Sequence, residues 1–233
     1  MARRRIYPSE TQNGPVEKLH TPLDLPRILN AFLSMLQTEG LEPISMRKIA
    51  DFLGVKAASL YYHVKDKEHL IYLMGEKIRS EVELPGPELN WREGLRIWAC
   101  NFRDTLKLYR DSVQIMNATF APSPHRLAHI EFLYRVFAQQ GFPDPQIPWY
   151  SSMLKTYVLG FVDEENRMLK RSIRRQEDAE ASEDSAFSSL PEEKYPHLVR
   201  LAEYTASTDF DNEFAGGLQV LLDGFEAQLK AKK

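Results

Sequence analysis

Apolar residues recur at intervals of three and four along most of the chain, which predicts amphipathic helices. In LDLPRILNAFLSMLQTEG this spacing marks a first helix that Asp24 can cap and that Gly40 ends. A second, short helix starts at Ser45 and ends at Gly54, a residue suited to a left-handed C-cap. A third helix of barely two turns follows, and Asp66 then caps a longer helix that the LPGP stretch stops.

The remainder of the chain is predicted to be helical as well. Glycine and proline are largely confined to a few points, and four long amphipathic stretches lie between them: REGLRIWACNFRDTLKLYRDSVQIMNATF, HRLAHIEFLYRVFAQQ, PWYSSMLKTYVLGFVDEENRMLKRSI and DNEFAGGLQVLLDGFEAQLKA. Residues 1–22 contain an arginine cluster and several prolines, which predicts a mobile basic arm. The polar, acidic residues 174–194 are predicted to form a mobile loop. No stretch alternates as a strand does, so the predicted fold class is all-α.

The charge is divided unevenly along the chain. The 233 residues carry a net charge of −3, yet the first 67 hold 10 Lys and Arg against 7 Asp and Glu. We therefore expect only the basic front to meet a polyanion. No apolar run reaches the roughly 20 residues that cross a bilayer, and no signal peptide is recognisable, so a cytoplasmic location without membrane contact is expected. Cys100, the single cysteine, lies in the apolar stretch LRIWACNF and is expected to be a buried thiol.

The stretch SMRKIADFLGVKAASLYYHVKDKEHL, residues 45–70, has the layout of a helix-turn-helix, whose second short helix enters the DNA major groove. Leu60 and Val64 are the core pair of that helix, which leaves its small and aromatic residues outward to contact bases and phosphates. Lys56 stands where an N-cap residue is expected, and a nearby phosphate would favour a cation there. The alternative is a plain helical hairpin with packed tyrosines and solvated lysines.

These residues resemble the N-terminal signature of the TetR family of bacterial transcriptional repressors. The match runs through the arginine-lysine pair, the leucine-glycine turn, the leucine-tyrosine pair, the histidine and the closing Asp-Lys. In that family the matching positions lie at a double-stranded DNA operator, which implies this role for Arg47, Ala57, Ala58, Ser59, Tyr61, Tyr62, His63 and Lys67. Charge and position predict phosphate contacts for Arg47, Lys48, Lys65 and Lys67, and add Lys56 at the start of the third helix.

The resemblance extends through WREGLRIWACNFRDTLKLYRD, FAQQGF, YVLGFVDEEN and FAGGLQVLLDGFEAQL to the ligand-binding core of the tetracycline-repressor branch. It implies a helix-turn-helix domain at residues 23–67, a connecting helix at 68–84, and a helical ligand-binding and dimerisation domain at 85–233. It also implies a homodimer joined by a four-helix bundle of residues around 150–168 and 214–229 from each chain. The apolar stripe of the last helix agrees with such a bundle, and burial inside one subunit is the alternative.

The ligand site is where the chain departs from that branch. Met116 stands where the branch has a metal-binding histidine, Trp98 and Leu133 replace polar drug contacts, and Thr156 and Glu83 replace two further histidines. Because magnesium prefers oxygen ligands, no response to magnesium-tetracycline is expected. An apolar or aromatic effector with one or two polar groups is predicted instead, unless these side chains simply fill the space. The predicted ligand-binding residues are Glu83, Trp98, Phe102, Met116, Thr119, Leu133, Thr156 and Glu164.

No catalytic or metal site is predicted. His125 and His129 are four residues apart on a predicted helix, but no third ligand accompanies them, so both are expected at the surface. Glu164 and Glu165 are adjacent and point in different directions on a helix, so they do not form a two-carboxylate site. No nucleophile elbow, phosphate loop or dinucleotide fingerprint occurs, so neither enzymatic activity nor a cofactor is expected.

Together these features predict a dimeric, ligand-responsive transcriptional regulator that a small molecule releases from a palindromic operator. DNA binding is common to repressors and activators, and the resemblance favours a repressor. Two alternatives stay open. A helical enzyme or carrier that keeps the helix-turn-helix as scaffold predicts ligand binding or turnover without DNA affinity. A DNA-binding protein controlled by a protein partner predicts that no small molecule raises its melting temperature.

Overall fold

The protein is all-α, as the periodicity predicts, and the described residues contain no strand. The computed structural model describes residues 22–178, 187–205 and 209–231. The predicted basic arm therefore lies outside the described residues, apart from Pro22. The helices are α1 (Leu25–Glu39), α2 (Met46–Leu53), α3 (Ala57–Leu60), α4 (Lys67–Ser80), α5 (Trp91–Lys107), α6 (Ser112–Ala118), α7 (Pro124–Gln139), a 3₁₀ helix (Asp144–Gln146), α8 (Ile147–Asp178), α9 (Pro196–Thr205) and α10 (Phe210–Lys230).

The predicted helix boundaries of the N-terminal region are confirmed where a side chain caps the helix. Asp24, Ser45 and Asp66 each accept a hydrogen bond from the backbone N–H three residues on, at 2.8, 3.3 and 2.7 Å. Such caps satisfy N–H groups that have no partner inside the helix. Gly54 ends α2 with φ of 66°, in the left-handed region that favours glycine. Lys56 provides no side-chain cap for α3, as the sequence predicts.

Buried side chains from four helices hold the N-terminal region together. They come from α1, α2, α3 with the turn after it, and α4, and they include Ile28, Phe32, Leu36, Ile49, Leu60, Val64, Leu70 and Met74. Polar contacts join this region to the segment between α5 and α6. The Arg110 guanidinium donates to the Thr38 carbonyl at 2.8 Å, and the Leu41 N–H donates to Asp111 Oδ2 at 2.8 Å. The end of α1 is therefore attached to the C-terminal region as well.

Two predicted helices are shorter in the structure. The connecting helix is predicted to run to the prolines of LPGP, but α4 ends at Ser80. Beyond its end, Glu81 contacts Lys77 and Tyr109, and Val82 is buried in the core. The stretch that starts at Trp91 was expected to form one helix, but it breaks into α5 and α6. Asp111, at the break, has φ of 54°, and its carboxylate is bound by the Leu41 amide and lies 3.6 Å from Lys170 Nζ. Tertiary contacts thus hold a backbone conformation that the apolar spacing does not reveal.

The acidic residues 174–194 are predicted to form a loop, and this prediction is wrong for the first part of the segment. Helix α8 continues to Asp178, so residues 174–178 are helical and not a loop. Residues 179–186 lie outside the described residues. Helix α9, from Pro196 to Thr205, was not predicted; Ala202 is its buried residue, and Leu198 and Leu201 expose 41% and 43% of their surface.

The C-terminal core forms where α5, α7, α8 and α10 pack together. Phe137, Phe142, Tyr150 and Phe225 form an aromatic cluster with ring centroids 5.2 to 5.9 Å apart. Helices α8 and α10 approach closely at Gly217, where an added Cβ would lie 2.5 Å from the Tyr157 hydroxyl oxygen. Cys100 is half-buried and not fully buried as expected, because it lies at the edge of the inward face of α5. Among the described residues, no helix is long and apolar enough to cross a membrane.

Candidate DNA-binding surface and ligand cavity

The helix-turn-helix is built from α2, the Gly54 turn and α3. Helix α3 is a single turn, shorter than predicted, and Tyr61, Tyr62 and His63 follow it in a turn that ends at Val64. The Val64 N–H donates to the Leu60 carbonyl at 3.0 Å, and both side chains are buried. This pair therefore fixes α3 and its following turn to the core and leaves the other side chains of the segment outward.

Most of the predicted DNA-binding residues are exposed and lie on one continuous segment or next to it. Tyr62 is 89% exposed and Tyr61 54%, so neither is a core residue of the described chain. Three of the predicted set are half-buried, namely Ala57, Ser59 and Lys67, and the exposed ones are Arg47, Lys48, Lys56, Ala58, Tyr61, Tyr62, His63 and Lys65. Tyr61 and Tyr62 are adjacent in the chain, so together they present an aromatic surface that another molecule can contact.

Two of the predicted phosphate partners are engaged inside the protein. Lys67 Nζ donates to the carbonyls of Leu41 and Glu42, at 2.8 and 3.2 Å, so it joins the start of α4 to the loop before α2. Lys48 Nζ lies 2.9 Å from Glu39 Oε2. Arg47, Lys56 and Lys65 have no ion pair with the residues that the structure describes. Lys67 therefore positions the start of α4, and its contact with DNA stays a prediction.

A cavity of about 230 Å³ lies between α4, α5, α6, α7 and α8. Five of the eight predicted ligand-binding residues line it together, and these are Trp98, Phe102, Met116, Thr119 and Leu133. The Trp98 and Phe102 rings are 5.2 Å apart and form an aromatic wall. The space is thus lined but not filled by these side chains.

The other three predicted ligand-binding residues lie elsewhere in the protomer. Glu83 is exposed beyond the end of α4, where its carbonyl accepts a hydrogen bond from Asn101 at 2.9 Å. Thr156 and Glu164 lie in an open groove on α8, beside Trp149 and Met153. They do not line the cavity, because the cavity-facing residues of α8 follow one side of the helix, at positions 148, 151, 152, 155 and 159. The family resemblance predicted these three residues in the same pocket as the other five, and gave no sign that they lie apart from it.

His129 is buried beside the cavity, which corrects its prediction as a surface residue, while His125 is exposed as predicted. Trp98 Nε1 donates to His129 Nδ1 at 2.9 Å, and His129 Nε2 lies 3.1 Å from the Arg79 carbonyl. Because Nδ1 accepts a hydrogen bond, Nε2 carries the proton and donates to the carbonyl. Burial lowers the pKa of His129, and the positive charges of Arg79 and His125 act in the same direction. This neutral histidine holds the Trp98 indole in place.

Arg79 is a second polar group that sequence reasoning missed. Its guanidinium donates to Thr119 Oγ1 at 2.7 Å inside the cavity wall, and Glu76 Oε1 lies 3.9 Å from it. Burial lowers the pKa of Arg79, Glu76 opposes that effect, and the nearby Arg126 adds to it. A basic residue in the last turn of a helix ordinarily serves the helix dipole, so its sequence position gave no signal of this cavity role.

Ser151 lines the cavity with a hydroxyl that finds no hydrogen-bond partner among the described residues, although the residue is only 5% exposed. Because a buried unsatisfied hydroxyl costs about 1–3 kcal/mol, Ser151→Ala is expected to raise the free energy of unfolding by about 1 kcal/mol. Thermal unfolding without ligand measures this change. The matched control is Ser112→Ala, since the buried Ser112 hydroxyl donates to the Leu106 carbonyl at 2.8 Å and its loss is expected to destabilise. A lower melting temperature for Ser151→Ala would contradict the assignment.

The cavity does not have the ligands that magnesium prefers. Its lining contains one histidine and one thioether but no carboxylate from the described residues. Elsewhere in the described part of the chain, no three histidine, cysteine or carboxylate side chains lie close enough to hold a metal ion. Because magnesium is bound mainly by carboxylate and other oxygen ligands, the residues present do not fit a magnesium-chelated ligand.

Comparisons with known proteins give one match over the helix-turn-helix and one over the helices that form the cavity. Residues 28–72 match the family described as bacterial regulatory proteins, tetR family, and residues 84–229 match the tetracyclin repressor-like C-terminal domain. The class D tetracycline repressor of Escherichia coli is 30% identical over 208 residues, covering 88% of this chain and 89% of that protein. The HTH-type transcriptional repressor DrrR1 of Streptomyces coeruleorubidus is 30% identical over 235 residues, covering 96% and 85%. The crystal structure of Streptomyces coelicolor ActR in complex with actinorhodin has a TM-score of 0.77 at 27% identity, covering 89% of this chain and 97% of that chain.

Proposed function

Because the chain belongs to the TetR family of bacterial transcriptional regulators, in its tetracycline-repressor-like branch, we propose that it represses transcription from a palindromic operator and is released by an apolar or aromatic small molecule. Members of this family are DNA-binding transcriptional repressors that often respond to ligands. The complex of ActR with actinorhodin supports a small-molecule effector for this chain. The proposed effector is not magnesium-tetracycline, since the cavity lacks the ligands for that ion.

The observation that carries this proposal is that one helix, α4, joins the DNA-binding surface to the cavity. Its first residue, Lys67, is hydrogen-bonded to the loop before α2, and its last turn brings Arg79 into the cavity wall. At 14 residues, α4 is about 21 Å long. A shift at the Arg79 end would therefore change the position of the helix-turn-helix at the other end.

The proposed release follows from a difference in ligand affinity between two conformations. A ligand that prefers a conformation with wrongly spaced α3 helices lowers DNA affinity by the ratio of its affinities for the two conformations. Arg79 contributes to this difference because it bonds Thr119 in the cavity wall, where it joins α4 to the end of α6. The contact of Arg110 with the Thr38 carbonyl gives a second route from the C-terminal core to the helix-turn-helix.

We propose that the functional unit is a homodimer joined by α8 and α10. Trp149, Met153 and Val220 expose 62%, 48% and 71% of their surface on these helices. Gly216 and Gly224 have open space beside them on α10, which allows a second helix to approach closely. A four-helix bundle would bury these groups, and its symmetry would place two α3 helices about 34 Å apart on DNA.

The remaining parts of the proposal concern domains and location. We propose a helix-turn-helix domain at residues 23–67, a connecting helix at 68–84, and a ligand-binding and dimerisation domain at 85–233. We also propose that the protein acts in the cytoplasm, where the DNA is, as a regulator without catalytic activity. The exposed tyrosines on the DNA-binding surface and the apolar cavity support this assignment over an enzyme.

Fluorescence anisotropy of the purified protein on DNA from immediately upstream of its own gene tests the proposal. We expect binding that resists excess unrelated DNA and whose log affinity falls linearly with log salt concentration, and two chains per operator by sedimentation. If no fragment from a genome-wide selection binds better than unrelated DNA, the chain is not a sequence-specific regulator. If the operator is bound tightly but no small molecule reverses binding, the proposed ligand response is wrong.

A further inference from the structure

Cationic side chains line the cavity without a matching carboxylate. Arg79, Arg126 and Lys155 contribute to its wall, and no Asp or Glu of the described residues does. Arg126 is half-buried and Lys155 exposed, and neither forms an ion pair with the described part of the chain. The wall therefore carries three positive charges beside an otherwise mostly apolar and aromatic lining.

The nearest carboxylate offsets only part of this charge. Glu76 lies outside the lining and is held by the Ser123 hydroxyl and by the N–H groups of His125 and Arg126, at 3.0 and 3.3 Å for the two amides. Its Oε1 is 3.9 Å from the Arg79 guanidinium. If Glu76 balances Arg79, the charges of Arg126 and Lys155 still have no counterpart in the wall.

Burial of Arg79 makes the positive charge around it important for binding. Arg79 is desolvated, and the pKa of its guanidinium is lowered by burial and also by the charge of Arg126. Charges interact more strongly at a partly buried site than in water, since less solvent screens them. An anionic group in the cavity would relieve this repulsion, whereas a cationic group would add to it.

We propose that the cavity binds an aromatic molecule with an anionic group, an aromatic carboxylate in the simplest case. The ring packs against Trp98 and Phe102, and the carboxylate pairs with Arg126 and Lys155. Ser151 lies one turn before Lys155 on α8, and its unpartnered hydroxyl donates to the same ligand. This inference rests on the proposed function and specifies the chemical class of its effector.

The test compares two probes of nearly equal shape, naphthalene-2-carboxylate and its neutral amide, naphthalene-2-carboxamide. Isothermal titration calorimetry with the full chain at neutral pH is expected to give at least tenfold tighter binding for the carboxylate, and a preference that falls as salt is added. In the double variant Arg126→Gln, Lys155→Gln the preference is expected to disappear. The control is Arg135→Gln, also on α7 but outside the cavity lining, which is expected to keep it.

The outcomes separate this inference from the proposed function. Equal binding of the two probes overturns the anionic class while the cavity stays a ligand site. A preference that survives in the double variant overturns the pairing of the carboxylate with Arg126 and Lys155. If neither probe binds, the anionic class is overturned as well, and operator anisotropy with uncharged aromatic compounds then decides whether any ligand response exists. Loss of carboxylate preference in the double variant alone, with unchanged operator binding, supports the inference.

Discussion

Replacing Tyr62 with alanine is expected to weaken operator binding by about tenfold to a hundredfold and to leave the melting temperature unchanged. The side chain is 89% exposed, so its removal costs little folding free energy. It follows α3 in the turn that Leu60 and Val64 fix to the core, where it can contact a base or a phosphate. Fluorescence anisotropy on the operator measures the first effect and thermal unfolding the second.

The control for this prediction is Tyr204→Ala. Tyr204 is 67% exposed on α9, far along the chain from the helix-turn-helix, and its loss is expected to leave operator affinity unchanged. Arg47→Ala tests whether Arg47 contacts a phosphate. Loss of one phosphate contact lowers the slope of log affinity against log salt by about one, whereas loss of a base contact mainly relaxes sequence specificity. If Tyr62→Ala and Tyr204→Ala bind the operator equally well, the assigned DNA-binding surface is wrong.

Arg103→Met is expected to lower the free energy of unfolding by about 3 kcal/mol, because it leaves a buried carboxylate without its main partner. Arg103 Nε and Nη2 donate to the two oxygens of Glu165, both at 3.1 Å, and Glu165 is only 3% exposed. The guanidinium also lies over the rings of Phe161 and Phe214, 5.4 and 4.8 Å from their centroids. Lys107, 2.6 Å from Glu165, retains part of the charge compensation. Thermal or urea unfolding measures the loss.

The control here is Arg96→Met, on the same helix. Arg96 forms a forked pair with Glu93 at 2.9 and 2.6 Å, but both side chains are exposed, so a change within about 0.5 kcal/mol is expected. The double variant Arg103→Met, Glu165→Met is expected to regain most of the lost stability, since two apolar side chains replace the buried pair. If Arg103→Met and Arg96→Met lower the free energy of unfolding equally, burial does not strengthen the pair of Arg103 and Glu165 between α5 and α8.

The helix-turn-helix could be predicted from the sequence because its signals are local. Apolar spacing located the helices, Asp24 and Asp66 marked two starts, and Gly54 marked the turn. The exposure of the tyrosines after α3 followed from Leu60 and Val64 being the core pair. Lys67 is the exception, because its hydrogen bonds go to carbonyls about 25 residues earlier in the chain, and spacing carries no information on such contacts.

The cavity could be predicted only in part, because its wall is assembled from five helices. The positions that match the pocket of the tetracycline-repressor branch predicted the aromatic wall, which includes Trp98 and Phe102. They did not give the buried His129, which accepts a hydrogen bond from Trp98, or the cations at its rim. The sequence shows Glu165 only as the neighbour of Glu164, because its burial against Arg103 depends on how α5 packs on α8.

By itself the sequence determined the all-α class, the helix-turn-helix and its outward tyrosines, since each depends on periodicity and capping within about one helix length. Only the tertiary structure decided where long helices break, as at Asp111, whose carboxylate binds the amide of Leu41 from a distant segment. It also decided which polar residues are buried and which charges face the cavity. Those outcomes depend on the free energy of contacts between residues far apart in the chain, and no local pattern encodes that free energy.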